Sequence, residues 1–206
     1  MICVMTEFGD NYGKIAEITL PLLQEYTKRH KYALYVHHLP DGNNYAYQKH
    51  ECIRSIFGDK DFEAVAYFDI DCKITNLGCK IEDFIDDDYD FYITEDFNEL
   101  NGGSIIIKNT VGGNLINNFI LSMRNNYENE QNVINDMRYG STLFNRMKVL
   151  PQNTINSYDY SQYPECKSYV GNRKLGDWKE GDFVLHVPGL GIDKRIEVLK
   201  NAKIVR

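Results

Sequence analysis

The sequence has no basic stripe, no long apolar run, no internal repeat and no low-complexity tract. Its 23 Lys and Arg are outnumbered by 30 Asp and Glu, a net charge of -7, which argues against a nucleic-acid partner. Met1 to Thr6 is one strand's worth of apolar residues, too short for a signal peptide or a membrane segment, so the expected location is cytoplasmic. Cysteine is sparse and odd in number: Cys3, Cys52, Cys72, Cys79 and Cys166, with no C-x-x-C spacing. That pattern speaks against a disulfide framework and against structural zinc, and leaves reduced, mostly buried thiols. No Pro- or Gly-rich linker divides the chain. One domain over residues 1–206 is expected, long enough to bury a core without staples.

Strand-like and helix-like segments alternate, which predicts an α/β architecture. Residues 1–6 read as a first strand. Ile15, Ile18, Leu22, Leu23 and Tyr26 share a helical face that Pro21 should kink. Tyr32 to Val36 is a second strand, and Ala46 to Phe57 a helix closed by Gly58. Ala64 to Phe68 is continuously apolar, the mark of a central strand buried on both faces. A helix is expected near 77–85, and Asp86-Asp87-Asp88 reads as its solvated end. Phe91 to Thr94 and Ser104 to Ile107 read as strands, 112–126 and 130–146 as helices, and 150–181 as loops with short elements. Phe183 to Val187 is a late strand, followed by a helix over 193–201.

Chemistry concentrates at Phe68-Asp69-Ile70-Asp71, the carboxyl end of the buried strand, where open α/β sheets bind ligands. Carboxylates at i and i+2 of an extended chain point the same way and can share one Mg²⁺ or Mn²⁺. Two caps in a turn would be spelled the same way. Two enzyme classes use such a strand: metal-dependent sugar-nucleotide transferases and haloacid-dehalogenase-type phosphatases. Gly181-Asp182 favours the second. Lys73 in place of Thr or Val, a motif on the third strand, and His186 in place of a late Asp count against it. A sugar-nucleotide-binding protein without turnover is the third reading. Asn101-Gly102-Gly103 can place bare backbone beside a ligand or make an ordinary turn. His186 is either a core histidine or a third ligand, and a His with carboxylates suits Mn²⁺ better than Mg²⁺. Glu130 in a first helical turn complements the dipole in any case.

Four blocks together resemble glycosyltransferase family 34, the galactosyl- and mannosyltransferases of GT-A fold, in a compact form like those of some large viruses. They are Tyr26-Thr27-Lys28-Arg29-His30-Lys31-Tyr32, Tyr67-Phe68-Asp69-Ile70-Asp71, Asp96 to Ser104 with Leu100-Asn101-Gly102-Gly103 at its heart, and Gly181 to Gly189 around His186. The resemblance implies a mostly parallel twisted sheet with helices on both faces, and retaining transfer of a hexose from a UDP- or GDP-sugar to a glycan or glycoprotein acceptor. It implies Mn²⁺ (or Mg²⁺) held by Asp69, Asp71 and His186. Thr6, Glu7, Phe8 and Gly9 would line the nucleoside pocket. Lys49, Ile70, Asn101, Gly102, Gly103 and Gly189 would touch the donor, and the Glu130-Gln131 pair would lie near the reacting sugar. The family's diphosphate-binding Lys after the metal-binding His is missing, which leaves Lys194 or Arg195. If the reaction inverts, Asp96 is the candidate base and Glu130 the reserve. The Tyr-rich stretch 158–178, with Tyr158, Tyr160, Tyr163, Tyr169 and Trp178, is expected to form the acceptor wall.

Overall fold

A computed structural model describes residues 1–40, 45–59, 61–164 and 176–206, so Cys166 and Tyr169 lie outside the described residues. The strands β1 (Ile2–Gly9), β2 (Ala33–Leu39), β3 (Ala64–Phe68), β5 (Phe91–Asp96), β6 (Glu99–Lys108) and β7 (Met147–Leu150) form a six-stranded sheet in the order β2-β1-β3-β6-β5-β7. β1 runs parallel to β2 and β3, and β5 parallel to β7; β6 alone runs against its neighbours. A smaller sheet, β4-β9-β8, joins β4 (Cys72–Ile74), β8 (Ser157–Tyr158) and β9 (Val184–His186).

Strand alternation sorts the core into two faces. Cys3, Met5, Val65, Tyr67, Ile93, Ile105 and Ile107 point one way. They pack on Ile53 and Ile56 of α2 (Tyr45–Asp59), Ile116 and Ile120 of α3 (Val111–Ser122), and Val133 and Ile134 of α4 (Glu130–Gly140). Ile2, Val4, Ala64, Ala66, Phe68, Tyr92 and Ile106 point the other way, toward Leu23 and Tyr26 of α1 (Gly13–His30) and the small sheet. β3 is buried at every position, as a central strand must be. A short helix α5 (Gln152–Ile155) precedes β8, and α6 (Ile192–Asn201) closes the chain over β4. Lys73 of β4 donates to the carbonyls of Leu199 and Ala202, meeting the negative end of the α6 dipole. Among the described residues no helix is long and apolar enough to cross a membrane.

Several elements depart from the sequence reading. Pro21 sits on the exposed side of α1 and the helix runs through it to His30. Lys31 then caps it in the left-handed conformation at φ 59°, the position where a glycine has no Cβ penalty. α2 passes through Gly58 to Asp59. The expected helix at 77–85 is a single 3-10 turn over Ile81–Phe84, because Leu77 donates its N–H to the Val205 carbonyl and so joins a backbone bridge. Asp86 is not a solvated helix end: Lys148 holds its carboxylate 2.5 Å away. The helix expected over 130–146 stops at Gly140, where the Ser141 hydroxyl accepts from Leu143 N–H and caps a separate 3-10 turn.

α2 is pinned to α3 by a fully buried pair. His50 Nδ1 lies 2.7 Å from Asn117 Oδ1, and the Asn117 amide donates back to the His50 carbonyl at 2.9 Å. His50 Nε2 is buried without a partner, and burial pushes the imidazole down to about 4, below its ordinary 6.5. The unfolded chain therefore takes up this proton first, and the stability that neutral His50 carries at pH 7 is lost as pH falls from about 6.5 toward about 4. The loss should approach the order of 3 kcal/mol. Urea denaturation at pH 7 and pH 5 should show a larger fall for the wild type than for His50→Gln; equal falls would overturn the assignment.

Candidate active site

The site is built where β3 ends. Asp69 continues the ladder by donating its N–H to the Gly103 carbonyl at 2.8 Å. The chain then turns, with Cys72 N–H bonded to the Asp69 carbonyl at 2.9 Å, and leaves as β4. Asp69 and Asp71 thus converge because a turn folds them together, and not through strand alternation, since β3 stops at Phe68. β4 pairs with β9 so that Cys72 faces His186. That pairing sets His186 Nε2 at 3.2 Å from Asp71 Oδ1 and 4.0 Å from Asp69 Oδ2. Asn156, just after α5, fixes the ring through Nδ1 at 2.6 Å. Nε2 is left buried and without a hydrogen-bond partner, aimed at the carboxylates.

Two cations answer these acids. Arg195 Nη1 reaches Asp71 Oδ2 at 2.8 Å, while its Nε donates to the Leu190 carbonyl at 2.6 Å. Lys49 Nζ lies 2.7 Å from Glu130 Oε1, 2.9 Å from the Gly102 carbonyl and 4.0 Å from Asp69 Oδ1. Burial disfavours the Lys49 ammonium, but Glu130 and Asp69 outweigh it and hold its pKa above the ordinary value. Burial likewise pushes Asp71 up, and His186 and Arg195 more than reverse the push. Asp69 stays raised, by burial and by Asp71, although Lys49 opposes the shift. His186 is held above its ordinary value: burial lowers it, and the Cys72 and Asp71 neighbours prevail.

The glycines supply closeness. A Cβ on Gly103 would stand 2.5 Å from His186 Cε1 and 2.7 Å from Asp69 Oδ2, and one on Gly102 would stand 2.5 Å from Glu130 Oε1. Gly102 N–H donates to the Gln131 side chain at 3.2 Å, which ties α4 to β6. Beside these residues opens a cavity of about 320 Å³. It collects Glu7, Phe8, Gly9, Lys49, Asp69, Ile70, Asp71, Glu130 and Gly189 from the sequence reading. Tyr12 and Tyr67, neither given a site role by the sequence reading, also line it, as does Arg195, one of its two diphosphate candidates.

Four expectations need correcting. Thr6 is buried behind the cavity and does not line it. Lys194 pairs with Glu197 at 3.0 Å on the surface, and Arg195, one residue on, is the cation that faces the cavity. Asp96 is not a free base: its Oδ2 accepts from Tyr158 OH at 2.6 Å and from Asn101 Nδ2 at 3.0 Å, and it does not line the cavity. Tyr158, Tyr160 and Tyr163 make no exposed acceptor wall, because they bury one another together with Phe97 and Leu190. Tyr158 packs edge-on to His186 with centroids 5.4 Å apart, and Trp178 donates Nε1 to Thr75 at 3.2 Å.

With this geometry in hand, similarity to known proteins is informative. The profile of the galactosyl transferase GMA12/MNN10 family matches residues 85–195. A glycosyltransferase involved in the glycosylation of the major capsid of PBCV-1 superposes with a TM-score of 0.76 at 17% identity, covering 97% of this chain and 98% of that one. GlyE of Streptococcus pneumoniae TIGR4 gives 0.58 at 12% identity, over 100% of this chain and 66% of its own. The galactosyltransferase LgtC, solved with donor and acceptor sugar analogues, gives 0.57 at 13% identity, over 99% and 97%. These neighbours share the GT-A fold. Among curated proteins, none matches the sequence.

Two substitutions test the packing of the site. Gly103→Ala should cost about 1–3 kcal/mol, since the new methyl would meet the side chains of His186, Asp69 and Asn101 at 2.5–3.0 Å. Gly13→Ala, where a Cβ meets nothing within 4 Å, should change stability by less than about 1 kcal/mol. A harmless Gly103→Ala in thermal denaturation would show that these neighbours can give way. Lys49→Met should strand the buried Glu130 carboxylate at a cost of about 3 kcal/mol, and adding Glu130→Leu should restore most of it. Additive losses in the double variant would contradict the pairing.

Proposed function

Because the chain belongs to the galactosyl transferase GMA12/MNN10 family and is a glycosyltransferase, we propose that it moves a hexose from a UDP- or GDP-linked donor to a hydroxyl of a glycan or glycoprotein, with retention. Residues 1–206 act in this reading as one catalytic domain. The observation that carries it is His186 Nε2: buried, and 3.2 Å from Asp71 Oδ1 and 4.0 Å from Asp69 Oδ2, two carboxylates that line the cavity. One imidazole nitrogen with two carboxylates is a donor set that fits Mn²⁺ (or Mg²⁺). Asp71 Oδ1, Asp69 Oδ2 and His186 Nε2 would hold it, with Asn156 fixing the imidazole through Nδ1. When bound, such a cation neutralises charge on a leaving diphosphate.

The remaining chemistry falls to the chain's own groups. A cavity of about 320 Å³ is at the small end of ligand-binding sites and suits a nucleotide sugar that stays partly open to solvent. Phe8 and Tyr12 offer aromatic faces to a base, and Arg195 offers a guanidinium to phosphate oxygens across from Asp71. Lys49 Nζ, 2.7 Å from Glu130 Oε1, holds that side chain in place at the cavity wall. Retention is supported by what the carboxylates are doing. Asp96 is hydrogen-bonded away from the cavity and Glu130 is paired with Lys49, so neither stands free to deprotonate an acceptor.

Asp71→Asn should lower transfer by about a hundredfold or more while the protein stays folded, because it removes a ligand charge outside the apolar core. Mn²⁺-dependent donor hydrolysis or transfer checks it, and near-wild-type turnover in a folded variant would overturn the metal assignment. The same preparation identifies the donor. The right UDP- or GDP-sugar at a hundred times its Kd should raise stability by roughly 2.7 kcal/mol with Mn²⁺ and far less without. Metal-dependent binding with no hydrolysis or transfer would instead favour a sugar-nucleotide-binding protein.

A further inference from the structure

A second cluster of metal-ligating side chains lies on the other flank of the cavity. Glu7 of β1 and His37 of β2 are register partners on adjacent parallel strands, and Cys52 of α2 lies over the same face. His37 Nδ1 is 3.0 Å from Cys52 Sγ and 3.9 Å from Glu7 Oε2. One donor atom from each of the three falls within 4.8 Å of the others. Glu7 is 4% exposed, yet neither of its carboxylate oxygens has a hydrogen-bond partner. A buried carboxylate in that state costs free energy unless a cation or a proton meets it. Lys49 offsets the charge only in part, and burial raises the Glu7 carboxyl to about 8.

We propose that Glu7, His37 and Cys52 form a binding site for zinc, separate from the Asp69–Asp71–His186 group. A thiolate, an imidazole and a carboxylate are the donor set of a borderline-soft divalent ion, and the thiolate disfavours Mn²⁺ and Mg²⁺. Zinc needs Zn–S at about 2.3 Å and Zn–N and Zn–O at about 2.0–2.2 Å. Ligand separations of 3.0 and 3.9 Å come within side-chain adjustment of the tetrahedral spacing those bonds require. Binding exchanges the Cys52 thiol proton for the metal and meets both the imidazole and the unpartnered carboxylate. His37 keeps 28% of its side chain exposed, which leaves an entry path and a fourth position for water. No C-x-x-C spacing signals the site, since its ligands come from three separate elements.

The probe is Co²⁺ added to the purified, reduced protein, followed by displacement with Zn²⁺. A thiolate-to-cobalt charge-transfer band should appear in the near ultraviolet and vanish as Zn²⁺ is added. Cys52→Ser should abolish the band. His37→Ala, at a partly exposed position that threatens folding least, should weaken Co²⁺ binding by about tenfold or more, as should Glu7→Gln. Cys72→Ser should keep the band, although it removes the thiol beside Asp71 and His186. A wild type without the band, a band that survives Cys52→Ser, or unchanged affinity in a folded His37→Ala protein would overturn the assignment. A band lost in Cys72→Ser and kept in Cys52→Ser would move the thiolate to the other group.

Discussion

The constraint on which this structure turns is the cost of holding several carboxylates out of water. Glu7, Asp71 and Glu130 are all buried near Asp69 at one end of the sheet, where an unpaired carboxylate costs several kcal/mol. Lys49 and Arg195 are the answers, and each is placed by backbone as well as by acid: Lys49 by the Gly102 carbonyl, Arg195 by the Leu190 carbonyl. The strand that supplies Gly102, the helices that supply Lys49 and Glu130, and the late helix that supplies Arg195 must therefore sit where these two cations can reach them. The fold around the cavity is held to a narrow set of positions by electrostatics, over and above its apolar core.

Much of this was legible in the sequence, for a physical reason. Strand alternation and apolar runs are local properties, and they located β1, β3, β5 and α1 to within a few residues, but only the apolar second half of β6, which begins at Glu99 and takes in Asn101-Gly102-Gly103. The Asp69–Asp71 pair was legible because it follows the most buried strand. His186 was legible only through its block, since a lone histidine on an apolar strand carries no local mark. Arg195 and Lys194 are adjacent in sequence, and only the direction in which each faces decides between them. The false helix at 77–85 and the unforeseen burial of Tyr158, Tyr160 and Tyr163 share one origin. Both depended on what a segment meets elsewhere in the chain: Val205 for Leu77, and Phe97 for the tyrosines.

The glycine pair at 102–103 shows how one feature serves two demands. Bare backbone lets His186 and Asp69 come together, and the same peptide units lend a carbonyl to Lys49 and an N–H to Gln131. A side chain there would crowd the acids and disturb the bonds that set them in place. Membership of the transferase family and the GT-A fold fits this reading, because the candidate site lies at the ends of strands while the core below is ordinary packing.

The links that assemble the site also say when in folding it comes to exist. Lys49 and Gly102 are 53 residues apart, Asp71 and Arg195 are 124 apart, and Lys73 and Leu199 are 126 apart. Closing such long loops is slow and is rewarded only once both ends have arrived. The β5–β6 hairpin can form early from neighbouring residues, but the carboxylates stay scattered and hydrated until the sheet closes and α6 docks. A half-folded molecule has no pocket to occupy, and catalytic competence becomes a reporter of completed folding.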